Sequence, residues 1–269
     1  MRPLPIAIAC VTAAFAWSAD TSTPSFTSSR GANLASHHRD AELQKAALRA
    51  SRSVYRLIGY RAGATVAKHW GTAVIVCGTP TVAVTARHVV ALNFADSIVL
   101  EGIAGVIRVR GVLYDDVVRD VTILELSTPA PTCLPVSASL PTPGMRVAGI
   151  GDPDSASPRI AIGIYEGVSA RADTVWIQHR AALPRGASGG AIVNAAGEVL
   201  GVIHGFARRD STIGFATPIR DVLAAWRRSP RWVRSVSALF GERRRVPSRK
   251  PIVITAEAPR RWNGPVRHR

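Results

Sequence analysis

From Val54 onward the chain is a series of short apolar runs cut by glycine, proline and polar clusters. Val54–Ile58, Thr72–Val76, Val82–Thr85, Ser97–Leu100, Val106–Leu113 and Val121–Leu126 run four to eight residues each, the length of strands rather than helices. The Pro-rich stretch Ser127–Pro143 reads as a linker. A second set follows: Val147–Ile150, Ile160–Ile164, Thr174–Gln178, Ala191–Val193, Glu198–Ile203 and Thr212–Ala216. Two groups of about six strands predict an all-β fold of two packed six-stranded antiparallel barrels. Helical spacing occurs in Asp40–Ser51, with Leu43, Ala47 and Leu48 read as one side. It recurs after Thr217-Pro218, where Thr is the expected N-cap and Pro the first helical residue. Ile219, Val222, Leu223 and Trp226 then give a C-terminal helix its apolar face.

Composition narrows the function classes. With 47% hydrophobic and 19% charged residues the 269-residue chain can bury a core, which excludes full disorder. No apolar stretch reaches the ~18 residues of a membrane-crossing helix. Three Cys without a C-x-x-C pair offer no zinc-finger spacing. The net charge of +16 is concentrated at the end: Arg227–Arg269 holds 13 Lys and Arg against two Glu. That Pro-containing tail reads either as a solvated extension or as an element drawn to an anionic membrane surface. No nucleic-acid-reading motif accompanies it, so no sequence-specific nucleic acid is expected.

At the front, Arg2 precedes the apolar stretch Ile6–Trp17 and cleavage candidates at Ala14-Phe15-Ala16 and after Ala19. These features predict a secretory signal peptide over residues 1–19. The expected order continues with a flexible lead-in and short helix (20–52), one two-barrel domain (53–228, linker near 127–143) and the basic tail (229–269). Export, periplasmic or secreted, would place the chain where disulfides persist. Cys77 and Cys133 then either pair or remain two free buried thiols.

Three segments carry candidate chemistry. In Gly186-Ala-Ser-Gly-Gly190 the glycines allow a turn tight enough to expose the Ser188 hydroxyl and aim backbone N–H groups at one point. Thr85-Ala-Arg-His-Val-Val90 puts His88 at a strand end, and Arg119-Asp-Val-Thr-Ile-Leu124 opens an apolar run with Asp120. Taken singly, these are an ordinary turn, a structural histidine and a strand-end carboxylate. Together His88, Asp120 and Ser188 follow the chain order of a chymotrypsin-type triad. Asp115 and Asp116 are rival carboxylates. His37, His38, His69, His179 and His268 have no ligand-like grouping, so neither metal nor cofactor is expected.

At these motifs the chain, over roughly Val54–Ala225, resembles the trypsin-like serine proteases in their bacterial HtrA/Do-like branch. Gly71-Thr-Ala-Val-Ile-Val76 is similar to the strand before the family's histidine, and Thr85–Val90 to its Thr-Ala-x-His-Val-Val. Asp120-Val-Thr-Ile-Leu resembles Asp-x-Ala-x-Leu, and Gly149-Ile-Gly-Asp-Pro153 a Gly-Asn-Pro turn. Ile177–Asn194 (IQHRAALPRGASGGAIVN) matches IQTDAAINPGNSGGALVN without a gap, and Gly214-Phe-Ala-Thr-Pro218 is similar to Gly-Phe-Ala-Ile-Pro.

The resemblance implies a serine endopeptidase acting on exported or misfolded proteins. It gives His88 as base, Asp120 as its orienter, Ser188 as nucleophile, and the N–H groups of Gly186 and Ser188 as oxyanion hole. Ala182, Ile203, His204 and Gly205 are the implied substrate-binding residues, with polypeptides as partners. Related glutamyl endopeptidases use a histidine near this wall, but His204 is displaced by one position, which turns it to the other side of a strand. Arg180 replaces a common Asp, and Ala187 an Asn. After Trp226 only 43 residues remain, fewer than a PDZ domain needs. The alternative reading is a catalytically silent trypsin-fold binding protein targeted by its basic tail. Oligomeric state is not legible.

Overall fold

The computed structural model describes residues 28–60, 68–91, 96–152, 158–171, 174–207, 210–228 and 235–236. The predicted signal peptide and nearly all of the basic tail lie outside the described residues. The chain divides into Met1–Ser36, of which only helical backbone from Ser28 is described, and His37–Arg269.

The second unit is two closed barrels. The first contains β1 (Val54–Tyr60), β2 (Lys68–Val76), β3 (Val82–Ala86), β4 (Ser97–Gly102), β5 (Gly105–Asp116) and β6 (Val121–Leu126). Its strands follow the order β1-β2-β3-β6-β5-β4. The second contains β7 (Arg146–Gly151), β8 (Arg159–Arg171), β9 (Thr174–His179), β10 (Ala191–Val193), β11 (Val199–Phe206) and β12 (Gly214–Pro218). Here the order is β10-β11-β12-β9-β8-β7, and every named pairing in both barrels is antiparallel. The fold class is therefore the expected one. Helices are α1 (Ser28–Ala50), the single turn α2 (Arg87–Ala91) and α3 (Ile219–Arg228).

Some strands are apolar on both faces because both are buried. Along β2, Ala73 and Ile75 belong to the interior of the first barrel, whereas Val74 and Val76 belong to a layer shared with the second. All four are fully buried. The shared layer also takes Ala148, Ile150 and Val202, together with Leu43 and Ala47 of α1 and Ile219, Val222 and Trp226 of α3. Val147, Ile177, Ile192 and Ile203 fill the second barrel. Burying each aliphatic side chain of this kind is worth about 1.5–3 kcal/mol, so the shared layer fixes one barrel on the other.

The linker is ordered by both barrels. Leu134 bridges Val76, Val136 bridges Val199, and Cys133 forms a disulfide with Cys77. The paired alternative for the cysteines is therefore the one adopted. Val236 packs into the core of the first barrel.

Three local expectations differ from the structure. The helix expected from Asp40 begins at Ser28. Leu48 is 55% exposed, while Leu43, Ala46, Ala47 and Ala50 are buried; five residues on from Leu43 is about 140° round the helix. Thr217 does not cap α3. The chain is still extended there, paired through Pro218 with Gly201, and Thr217 Oγ1 donates to the Arg119 carbonyl at 2.9 Å.

Candidate active site

His88 stands in α2, directly after the buried strand β3. Asp120 receives it from two directions: the His88 backbone N–H donates to Oδ1 at 2.9 Å, and Nδ1 lies 2.6 Å from Oδ2. The Asp120 carbonyl accepts from Arg87 N–H at 2.8 Å. A proton held on Nδ1 leaves Nε2 of His88 as the ring's acceptor. Asp120 has φ 53°, in the left-handed region that Asp tolerates better than most residues.

The rival carboxylates build the approach to Asp120. Asp116 accepts from the N–H groups of Val118 and Arg119 at 3.0 and 2.8 Å, from Tyr114 Oη, and from the Arg119 guanidinium. It thereby shapes the turn before β6. Asp115 pairs with Arg87 and accepts from Thr122.

A second imidazole meets Asp120. His204 Nδ1 is also 2.6 Å from Oδ2, although obliquely enough to miss hydrogen-bond alignment. Its ring is edge-on to Trp176 at 4.3 Å and to His88 at 5.2 Å. Burial alone would raise the Asp120 pKa, but the contacts from His204 and His88 outweigh it and hold the carboxyl well below its usual range. The nitrogen and oxygen atoms of His88, Asp120 and His204 lie within 4.8 Å of one another, a grouping that can be read as a metal site. The 2.6 Å separations are hydrogen-bond spacings, shorter than two ligands sharing a zinc ion at ~2.0 Å normally keep.

Ser188 sits on a turn held by the other barrel. Thr72 N–H donates to the Ser188 carbonyl at 2.8 Å and Thr72 Oγ1 to the Gly186 carbonyl at 2.9 Å. Gly189, at φ +90°, passes so close that a Cβ there would lie 1.9 Å from the Thr72 carbonyl oxygen. Within the turn, Ala187, Gly189 and Gly190 donate their N–H groups to Pro184, Ile203 and Ala187 carbonyls. Among the described residues, the N–H groups of Gly186 and Ser188 donate to no protein atom. The Ser188 hydroxyl donates to the His204 carbonyl at 3.0 Å.

Beside Ser188 opens a cavity of about 340 Å³, lined by Ala182, Leu183, Ile203, Gly205 and Gly214 among others. Ala182, Ile203 and Gly205, three of the substrate-binding candidates, are among its lining residues. His204 does not line it: alternation along β11 sends Ile203 into the second barrel and His204 onto Asp120. Sequence reasoning missed His179, which does line the cavity. Its signal was available as a departure from the resembled motif, His where IQTD has Thr.

His179 is 1% exposed, and burial pushes its pKa down to about 4. Arg180 faces away and joins Glu166 and Thr212 on the surface.

A sequence profile described as "Trypsin-like peptidase domain" matches residues 71–202, which include all three triad candidates. Over that segment the chain is similar to a trypsin-like peptidase domain. The peptidase is of the serine type. The Rv3671c protease of M. tuberculosis, active form, superposes with TM-score 0.59 at 21% identity, over 71% of this chain and 87% of its own. The serine endoprotease of Yersinia pestis gives 0.58 at 25% identity, over 70% and 68%. The HtrA-type protease AlgW with decapeptide gives 0.58 at 21%, over 68% and 65%. These neighbours share the fold of the chain. No curated protein sequence matches the chain.

Proposed function

We propose that the chain is a serine endopeptidase in which Ser188 attacks a peptide carbonyl, His88 takes its proton, and Asp120 holds and stabilises the imidazolium. The observation that carries this reading is the pattern of backbone donors around Ser188. Neighbouring N–H groups in the turn are engaged, while those of Gly186 and Ser188 are left for an oxyanion. One such donor is typically worth about 10²- to 10³-fold in rate. The close pairing of His88 with Asp120 supports it independently. After attack, His88 returns the proton to the leaving amine, and water completes the second half by the same route.

Polypeptides are the substrate class, with exported or misfolded proteins as the natural pool. The Cys77–Cys133 disulfide supports an oxidising compartment, periplasmic or extracellular. The charge of the 227–269 segment supports attraction of this region to acidic lipid surfaces. One observation favours the catalytically silent alternative: the Ser188 hydroxyl is bonded to the His204 carbonyl. Labelling with a fluorophosphonate, followed by site mapping, separates the two. Modification of Ser188 that is lost in His88→Ala is expected; an inert Ser188 in the folded protein sinks the enzymatic reading.

A further inference from the structure

We infer that the cavity beside Ser188 selects a substrate side chain ending in a carboxylate, glutamate above all, through a hydrogen bond from His179 Nε2. The inference rests on the peptidase reading and names its substrate class.

The tautomer of His179 follows from its surroundings. Ala181 N–H donates to His179 Nδ1 at 3.2 Å, so Nδ1 is an acceptor and the ring proton resides on Nε2. That N–H has no hydrogen-bond partner among the described residues, although the side chain is 1% exposed. Burial keeps the ring neutral near pH 7, its pKa being about 4.

The fold makes room for the ring at this place. Gly214 stands opposite His179 in the β12–β9 register, and a Cβ on Gly214 would lie 2.2 Å from Cε1 and 2.7 Å from Nε2. The histidine and its missing neighbour side chain together form part of the cavity wall.

Charge selects among possible occupants. Arg185 lines the same cavity and is exposed, while no Asp or Glu is among its described lining residues. Nearby carboxylates are committed elsewhere: Glu166 to Gln178 and Arg180, Asp210 to Thr212. An aliphatic occupant leaves the Nε2–H stranded, and a basic one meets a donor and a cation. A carboxylate accepts from the first and is drawn in by the second. The longer reach of glutamate favours it over aspartate for a donor in the cavity wall. His204 does not serve here: its ring contacts Asp120 and does not line the cavity.

The test uses the full chain and quenched peptides that differ only at the residue before the scissile bond: Glu, Gln, Asp, Leu, Val or Lys. Cleavage after Glu is expected to exceed cleavage after Leu at least tenfold. The Glu-to-Leu ratio should fall about tenfold or more in His179→Leu and about threefold in Arg185→Gln. A preference for Leu or Val, or an unchanged ratio in both variants, overturns the inference.

If neither fluorophosphonate labelling nor cleavage occurs, the peptidase reading fails, and binding decides the pocket alone. Ser188→Ala titrated with the same peptides should bind the Glu peptide tightest and shift the His179 imidazole NMR signals. Equal binding of the Glu and Leu peptides, without that shift, overturns it.

Discussion

His204 places its Nδ1 2.6 Å from Asp120 Oδ2, the same oxygen that holds His88. One carboxylate oxygen therefore serves two imidazoles. Trp176, edge-on at 4.3 Å, keeps the second from rotating away. This contact suits a positioning role for a residue that does not line the cavity. In His204→Ala the carboxylate loses one of its two imidazole contacts. Expected is a roughly tenfold lower kcat with KM nearly unchanged, partly restored in His204→Ser. Steady-state kinetics on a peptide substrate measures it, and an unaltered kcat counts against the role.

Gly189 admits no side chain. Its φ of +90° and the 1.9 Å approach of a Cβ to the Thr72 carbonyl act together, and the obstacle is backbone rather than a movable side chain. Gly189→Ala is expected to cost more than about 2 kcal/mol of stability and to abolish labelling of Ser188. Thermal melting and probe labelling on the same sample report the two effects.

Stability should depend on pH through His179. Its folded-state pKa is about 4, below the ~6.5 of an unfolded histidine, so the unfolded chain takes up the proton first as pH falls. The sign is therefore loss of stability on acidification: about 2 kcal/mol between pH 7 and 5 from this residue alone, with the loss complete below pH 4. Urea midpoints across that range should show a shallower slope in His179→Gln.

The disulfide closes a loop with sequence separation 56 between the end of β2 and the linker. Chain-entropy arguments assign such a crosslink about 4 kcal/mol, with 2–4 typical in practice. Cys77→Ser with Cys133→Ser should lower the denaturation free energy by that amount. Chemical denaturation with and without reductant provides the comparison.

Both barrels were legible because strand length and turn residues are local properties, and each predicted strand from Val54 to Ala216 overlaps an observed one. The site motifs were legible for a related reason: glycines around Ser188 and the strand-end positions of His88 and Asp120 are written in consecutive residues. What was not legible depends on partners far away in sequence. Leu48 looked apolar enough to be buried, yet α1 turns it outward. Thr217 had the makings of a cap, yet a carbonyl 98 residues earlier in the chain claims its hydroxyl. His179 looked like an isolated histidine until Gly214 and Ala181 were placed against it.

Thr72 is encoded more than a hundred positions before the serine whose backbone it grips. The hydroxyl proposed as nucleophile thus takes its geometry from the half of the molecule that does not contain it. Slippage of one half against the other by an ångström would loosen that grip and disarm the nucleophile before either half began to unfold, so reactivity is the more sensitive gauge of whether the halves are seated.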